Sequence, residues 1–420
     1  MANTTLTADV VAKAALAILD NELNVVKTFH RAYEDEFSNQ VNGYKIGDTI
    51  SIRRPADFTI RTGATLSTQD VIEGKTTLTI DQQIGVDFQF TSSDLTLKIN
   101  DLAERVMKPA MSTITNYMSY DCLNTMYKRI YNWVGTPGNT INSFSDFALA
   151  PQRLDTMAVP MVSRHSVLSP ADHWGMLGSQ TALFIQGAAN DAYREGSLGK
   201  IGGVDTRMNQ MVPTHTVGPL GGTPLVNGAT QNVSYDTAKN TWTQSLITDG
   251  WTAAAASRVK EGDVFTMYAA GTSGARIKMV NPRTKQVTDV DQQFVITADG
   301  SSDASGNLTL TISPPIITSG PYQTVNVAPA DNAGITVLGT ATTGYVQNMA
   351  YHKNTMALAI VPMEMPAAAY GGHRESYKGI SLRVIPIYDG TNDISKWRLD
   401  MLYGRKVIDP RLAVRQSGTA

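Results

Sequence analysis

The spacing of hydrophobic residues divides the chain into helical and extended segments. Residues 1–43 carry apolar side chains three or four positions apart, which predicts a helical arm. The apolar positions are Val10, Ala14, Leu16, Ala17, Leu23, Val26 and Phe29. From residue 44 to residue 98 the apolar period changes to two, which predicts strands on either side of a long polar stretch. We expect residues 44–98 to form an extended loop with flanking strands.

The strongest helical pattern in the chain covers residues 99–139. Apolar residues recur every three or four positions as far as Trp133. Pro109 is expected to bend this helix or to split off a first segment, and Gly135 followed by Pro137 is expected to end it. We therefore predict one long helix in this region.

The rest of the chain indicates a body interrupted by a second domain. Residues 140–221 predict a compact α/β region, and the glycine- and proline-rich stretch 212–231 marks a boundary. Residues 222–345 consist of short alternating runs separated by turn residues, which is typical of a small β domain. Buried-strand composition returns in residues 346–420, so we expect this last segment to complete the first body.

Composition excludes several classes of protein. The chain has 420 residues and a formal net charge of −2, so no general attraction to nucleic acid or to an anionic membrane is expected. The N-terminal arm is acidic and the C-terminal segment is basic. Cys122 is the single cysteine, which excludes an intramolecular disulfide. Without a secretory signal or a long apolar stretch, the chain is predicted to be a soluble protein made inside the cell.

No group of residues in the sequence predicts catalysis or cofactor binding. The six histidines lack a metal-ligand spacing, and the glycine-rich segment 196–203 fails the phosphate-loop pattern. Ser169, Asp172 and His173 lie close in sequence, but Ser169 before Pro170 is better explained as the cap of a helix. We predict no catalytic, cofactor-binding or metal-binding residue, and no enzyme.

Three stretches resemble the major capsid proteins of tailed phages, and most closely the coat proteins of the phage P22 type. They are GYKIGDTISIRRP (43–55), LTIDQQIGVDFQFTSSDLTLKINDLAERVMKPA (78–110) and YDGTNDISKWRLDMLYGRKVIDPRLAVRQSG (388–418). The resemblance implies an α/β (α+β) fold of the HK97 capsid type. Its parts would be a long spine helix, an extended loop and an inserted small β-barrel-like domain.

The resemblance also implies a function and a set of partners. The chain would self-assemble through hexamers and pentamers into an icosahedral shell around double-stranded DNA, which it would contact non-specifically. A scaffolding protein would guide assembly in the cytoplasm of the bacterial host, a portal would occupy one vertex, and no membrane would be involved. In the matching part of the arm, Asp20 and Glu22 are the implied contacts of the scaffolding protein.

Two Gly-Asp pairs precede predicted strands, Gly47-Asp48 and Gly262-Asp263. Glycine can adopt positive φ, and aspartate can accept hydrogen bonds from the nearby backbone, so both pairs predict turns. Arg53 and Arg54 lie where the resemblance implies that the chain leaves its own body. We therefore expect them to contact a carboxylate of a neighbouring subunit.

Two other functions stay open at this point. An encapsulin-like compartment shell shares the implied fold, but encloses cargo enzymes rather than a genome. A hydrolase with a β-rich binding module is the alternative from another class. The insertion and the stretch 43–55 favour the phage shell.

Overall fold

The computed structural model describes residues 8–32, 49–66, 68–91, 106–180, 198–254, 256–366 and 371–419. The chain divides into two compact units. The first comprises Met1–Ser51, Thr77–Cys122 and Met356–Lys406, and the second comprises Ile52–Thr76, Leu123–Thr355 and Val407–Ala420. The C-terminal residues contribute strands to both units.

The described residues form both helices and strands. The helices are α1 (Ala8–Glu22), α2 (Lys108–Tyr127), α3 (Phe144–Thr156), α4 (Pro170–Gln180) and α5 (Tyr235–Ala238), with 3₁₀ turns at Val26–Thr28, Lys353–Thr355 and Pro410–Leu412. The strands are β1 (Thr49–Arg53), β2 (Lys75–Thr91), β3 (Trp133–Val134), β4 (Arg164–Leu168), β5 (Lys200–Ile201), β6 (Val204–Met208), β7 (Thr214–Thr216), β8 (Gly222–Val226), β9 (Gln244–Trp251), β10 (Ser257–Val259), β11 (Val264–Met267), β12 (Lys278–Val280), β13 (Val287–Asp291), β14 (Gln293–Ile296), β15 (Gly300–Ser301), β16 (Leu308–Ser313), β17 (Ile335–Val337), β18 (Gly344–Val346), β19 (Asn348–His352), β20 (Met356–Val361), β21 (His373–Tyr377), β22 (Ile380–Asp389), β23 (Ile394–Val407) and β24 (Ala413–Gln416).

A six-stranded sheet of order β1-β2-β23-β22-β21, with β20 beside β23, dominates the first unit. Its long strands β2 and β23 pair antiparallel, with Val86 opposite Leu399 and Phe88 opposite Trp397. Apolar side chains of β2 alternate with exposed polar ones, as the period-two pattern predicts. Strand β2 is continuous from Lys75 to Thr91.

Helix α1 packs against β21 and β22. The residues that it buries are Val11, Ala12, Ala15, Leu16 and Leu19. The predicted stripe was wrong in part, because Ala14 is half-buried and Ala17 is exposed. Alanines occur on both sides of this helix, so hydrophobic spacing alone does not fix which face is buried.

Helix α2 ends earlier than its sequence pattern predicts. Pro109 is its second residue and follows the π-helical residues 106–107, and the predicted start of the helix, residues 99–105, lies outside the described residues. The helix ends at Tyr127, and Trp133–Val134 form β3, parallel to β24. The prediction that Gly135 ends the helix was therefore wrong. A short apolar run fits a buried strand as well as a helix, and tertiary pairing selects the strand here.

The second unit contains the sheet β3-β24-β19-β4-β6-β5, with α3 against β24 and α4 against β4. Ser143 and Ser169 cap the two helices through their hydroxyls, which accept from the backbone N–H groups of Asp146 (3.1 Å) and Asp172 (3.2 Å). Pro170 is the first residue of α4, as predicted.

Residues 222–337 form a closed β-barrel. Its strand order is β17-β11-β14-β16-β9-β8. The ring closes because Val226 N donates to Ala333 O and Asn332 N donates to Val226 O, both at 2.9 Å. Strands β7 and β18 pair antiparallel directly before and after the barrel. The strands predicted near residues 264–267, 277–280, 294–296 and 308–312 are all present.

Candidate functional site

Arg53 and Arg54 lie in different surroundings. The side chain of Arg53 is 83% exposed, and its Nη1 lies 3.4 Å from Glu73 Oε2. The guanidinium of Arg54 is half-buried over the Trp242 ring, 5.9 Å from the centroid, and donates to Lys239 O at 3.5 Å. Burial lowers the pKa of Arg54. Of the two predicted contacts, Arg53 is therefore the one that presents its charge to solvent.

The segment that follows, residues 54–74, is named the extended loop from here on. Its large exposed apolar side chains are Phe58, Ile60, Leu66 and Val71. Hydrogen bonds inside the loop order it, since Thr59 N donates to Gln69 Oε1 (2.9 Å) and Gln69 Nε2 donates to Thr59 O (2.6 Å). Ordered, exposed apolar groups are typical of a contact surface.

The acidic arm lies partly outside the described residues. Asp20 and Glu22 belong to α1, but their side chains are among those that the structure does not describe. Earlier in α1, Asp9 pairs with Lys13 (3.0 Å) and with His373 of β21 (3.1 Å), and His373 in turn lies 3.0 Å from Glu375. Asp9, His373 and Glu375 are residue types that bind metals and offer three ligand atoms within 4.8 Å. Lys13 already supplies a positive charge to these three residues. The group of Asp9, His373 and Glu375 joins α1 to β21.

Gly262-Asp263 forms a turn, as predicted, and the Asp263 carboxylate also contacts distant segments of the chain. Gly262 has a φ of +106°, and the buried Asp263 carboxylate accepts from Lys260 N (2.8 Å) and Gly218 N (3.2 Å). His215 Nε2 lies 2.7 Å from the same carboxylate. The group ties the start of β11 to β7. The other pair, Gly47-Asp48, lies outside the described residues.

Arg415 is fully buried beside this turn. Its Nη1 donates to Gly262 O at 2.8 Å, and its guanidinium lies over the rings of Tyr127 (5.3 Å) and Trp133 (5.6 Å). Burial lowers the pKa of Arg415, and the two rings offset part of the cost of the buried charge. Basic residues alternate along the C-terminal strands, which predicts that they lie on exposed faces. That prediction is wrong for Arg415 and for Arg383, which is buried 2.5 Å from Asp400.

Residues considered for chemistry have structural roles. Cys122 is buried in α2, and burial raises the pKa of its thiol, which suppresses the reactive thiolate. Asp172 accepts from Ser169 Oγ (2.5 Å) and from Asn348 Nδ2 (2.7 Å), and so joins the cap of α4 to β19. In the part of the chain that the structure describes, no helix is both long and apolar enough to cross a membrane.

Comparison with known proteins decides the identity. The sequence matches the family described as P22 coat protein, gene protein 5, over residues 1–417. The chain belongs to the P22 coat protein family. As a P22-type coat protein it is the major capsid protein of a tailed phage, a structural component of the virion and not an enzyme. This assignment decides against the encapsulin-like shell and the hydrolase.

Solved capsid structures give more distant likenesses of this P22-type coat protein. A protein of Mycobacterium phage Che8 is 12% identical, with a TM-score of 0.47 over 93% of this chain and 89% of that one. The capsid of Ralstonia phage GP4 is 10% identical, with a TM-score of 0.42 over 90% and 85%. The mature capsid of bacteriophage PhiM1 is 12% identical, with a TM-score of 0.41 over 89% and 84%. No curated protein sequence gives a significant match.

Proposed function

We propose that this coat protein assembles as hexamers and pentamers into an icosahedral shell around double-stranded DNA, and that the extended loop contacts a neighbouring subunit. The observation that carries the proposal is the exposure of Ile60 (94%) and Leu66 (78%) on an ordered segment. Burying one such side chain contributes about 1.5–3 kcal/mol. Contacts within a ring of subunits are heterologous, so the loop would meet a different surface of the next copy.

Arg53 is the charged residue that we expect to take part in this contact. An exposed ion pair such as Arg53–Glu73 contributes about 0–1 kcal/mol, so exchanging Glu73 for a carboxylate of a neighbour costs little. Arg54 remains a predicted contact of the same surface, and Trp242 and Lys239 are its partners within the chain.

The proposal also includes a scaffolding protein, a portal and packaged DNA as partners. A scaffolding protein would bind the acidic arm through Asp20 and Glu22, assembly would take place in the cytoplasm of the bacterial host, and a portal would replace one vertex. The near-neutral net charge of −2 supports non-specific, weak contact with packaged DNA, because a strongly basic lining would retard its entry.

Expression with and without a candidate scaffolding protein tests the assembly. Negative-stain microscopy and sedimentation are expected to show closed shells, or tubes and aberrant shells when the scaffolding protein is absent. A chain that stays monomeric under every condition would contradict the proposal.

Charge reversal tests the scaffold contact. Asp20→Lys with Glu22→Lys is expected to abolish co-sedimentation of the scaffolding protein while the far-UV circular dichroism of the subunit stays unchanged. Asp289→Lys, which alters a fully exposed carboxylate of the barrel region, is the matched control. Unchanged co-sedimentation in the Asp20/Glu22 variant would assign the contact elsewhere.

A further inference from the structure

One hydroxyl group of the barrel bonds both limbs of the extended loop. The Tyr322 hydroxyl accepts from Asp57 N at 3.0 Å and donates to Ile72 O at 2.9 Å. Between these two residues the chain makes its whole excursion. A single side chain therefore sets the separation of the outgoing and returning limbs.

An aromatic platform holds that hydroxyl in place. The ring of Tyr235 stacks on Tyr322, with centroids 3.4 Å apart and planes 7° apart, and Trp242 meets Tyr235 edge-on at 6.1 Å. These three rings are buried together with Ile317. Because the rings are packed on one another, the hydroxyl has little freedom to move away from the loop.

Guanidinium groups attach the outgoing limb to the same platform. Arg54 and Arg411 both lie over the Trp242 ring, at 5.9 and 5.2 Å. Arg411 also pairs with Asp57 of the loop at 3.3 Å, and it is itself held by Asp409 at 2.8 Å. The outgoing limb thus has electrostatic contacts in addition to its hydrogen bond to Tyr322.

The returning limb approaches the barrel so closely that a side chain is excluded. A Cβ atom at Gly74 would lie 2.2 Å from Lys239 O and 2.9 Å from the Tyr235 hydroxyl. Next to it, Lys75 N donates to Asn240 Oδ1 at 3.1 Å, and Gly74 O accepts from Arg54 N at 2.7 Å. Glycine at position 74 is therefore required by the contact itself.

We propose that Tyr235, Trp242 and Tyr322 form a clasp by which the inserted barrel fixes the extended loop of its own subunit before assembly. The loop presents its apolar side chains to water and so gains little order from burial. The clasp supplies that order from within the chain. The clasp holds the extended loop of the same copy. Because the loop is already ordered before it contacts a second copy, docking onto that copy is faster. The consequence for docking rests on the proposed function, whereas the clasp itself does not.

Tyr322→Phe tests the clasp, because it keeps the ring stack and removes both hydrogen bonds. Trypsin is expected to cut the unassembled subunit after the exposed Arg61 roughly tenfold faster than wild type, since cleavage follows the population of the open loop. Tyr268→Phe is the matched control, because its hydroxyl accepts from Arg276 at 3.2 Å elsewhere in the barrel region. The thermal unfolding midpoints of the two variants are expected to agree.

Gly74→Ala is a second variant that acts on the returning limb. It is expected to raise cleavage after Arg61 as Tyr322→Phe does, whereas Gly178→Ala, at a glycine with open space around it, is expected to leave cleavage unchanged. Wild-type cleavage rates in both Tyr322→Phe and Gly74→Ala would overturn the clasp. A wild-type subunit that never assembles would instead overturn the proposed function, because the cleavage assay uses unassembled protein and would still give its own answer.

Discussion

The barrel and the extended loop obtain their order in opposite ways. The barrel has a continuous buried core that includes Phe265, Phe294 and Leu310. The described residues of the loop, 54–66 and 68–74, form no such core, and Phe58 and Ile60 are exposed to water. It is held by hydrogen bonds within itself and by contacts at its root. Stability of the subunit and the capacity to dock onto another subunit therefore depend on different residues, which substitutions can separate.

The largest expected effect comes from the barrel core. Phe265→Ala removes a ring with no exposed surface that stacks on Phe294 at 5.6 Å, and we expect it to lower the free energy of unfolding by about 3–5 kcal/mol. Phe58→Ala, in the loop, is expected to change it by less than about 0.5 kcal/mol. Urea unfolding followed by circular dichroism measures both. Similar losses in the two variants would remove the distinction between barrel and loop.

The second-largest effect on the free energy of unfolding is expected at the buried Asp263, in the turn before β11. Asp263→Asn keeps the size of a buried side chain but removes the charge that faces His215, so we expect a loss of about 2–3 kcal/mol in the free energy of unfolding. Asp331→Asn, at an exposed turn where the carboxylate accepts from Gly228 N, is the control and is expected to cost about 1 kcal/mol or less. Equal losses would show that burial of the Asp263 group adds nothing.

A smaller effect is expected on acidification at the root of the loop. Burial opposes the charge of Asp409, but the Arg411 guanidinium outweighs it and holds the pKa of that carboxyl below its ordinary value of 3.8. Because the folded pKa is depressed, the contribution to stability is present above pH 3.8 and is lost as pH falls through the folded pKa. Asp409→Asn is therefore expected to reduce the loss of unfolding free energy below that pH. An identical pH profile would place the acid-sensitive group elsewhere.

The smallest expected effect on stability belongs to the loop tip. Ile60→Ser is expected to change the free energy of unfolding by less than about 0.5 kcal/mol while it slows shell formation, measured by light scattering. Val287→Ser, a half-exposed apolar position in the barrel region, is the control for loss of surface hydrophobicity. Unchanged assembly in Ile60→Ser would remove this side chain from the contact.

The strands and the barrel can be predicted from the sequence more readily than the contacts between distant segments. Alternation in β16 is readable locally, because side chains on a strand point to opposite faces in turn. Strands β11 and β14 are buried along their whole length and are recognisable only as short, mostly apolar runs between turns. The end of α2 was not readable, since the apolar residues 130–134 suit either structure and β24 decides. The clasp was invisible because Tyr322 and Ile72 are 250 positions apart. The burial of Arg415 was not readable because its partners Tyr127, Trp133 and Gly262 are distant from it in sequence.

Closure of the barrel has a consequence for crowding. A capsid needs many copies of its major capsid protein, and an open edge of the barrel sheet on each copy would offer unpaired N–H and C=O groups to every other copy. Such edges template β-aggregation. The bonds between Val226 of β8 and residues 332–333, which lie just before β17, join the two edge strands of the barrel to each other. The barrel is therefore rich in strands but does not divert subunits from shell formation into β-aggregates.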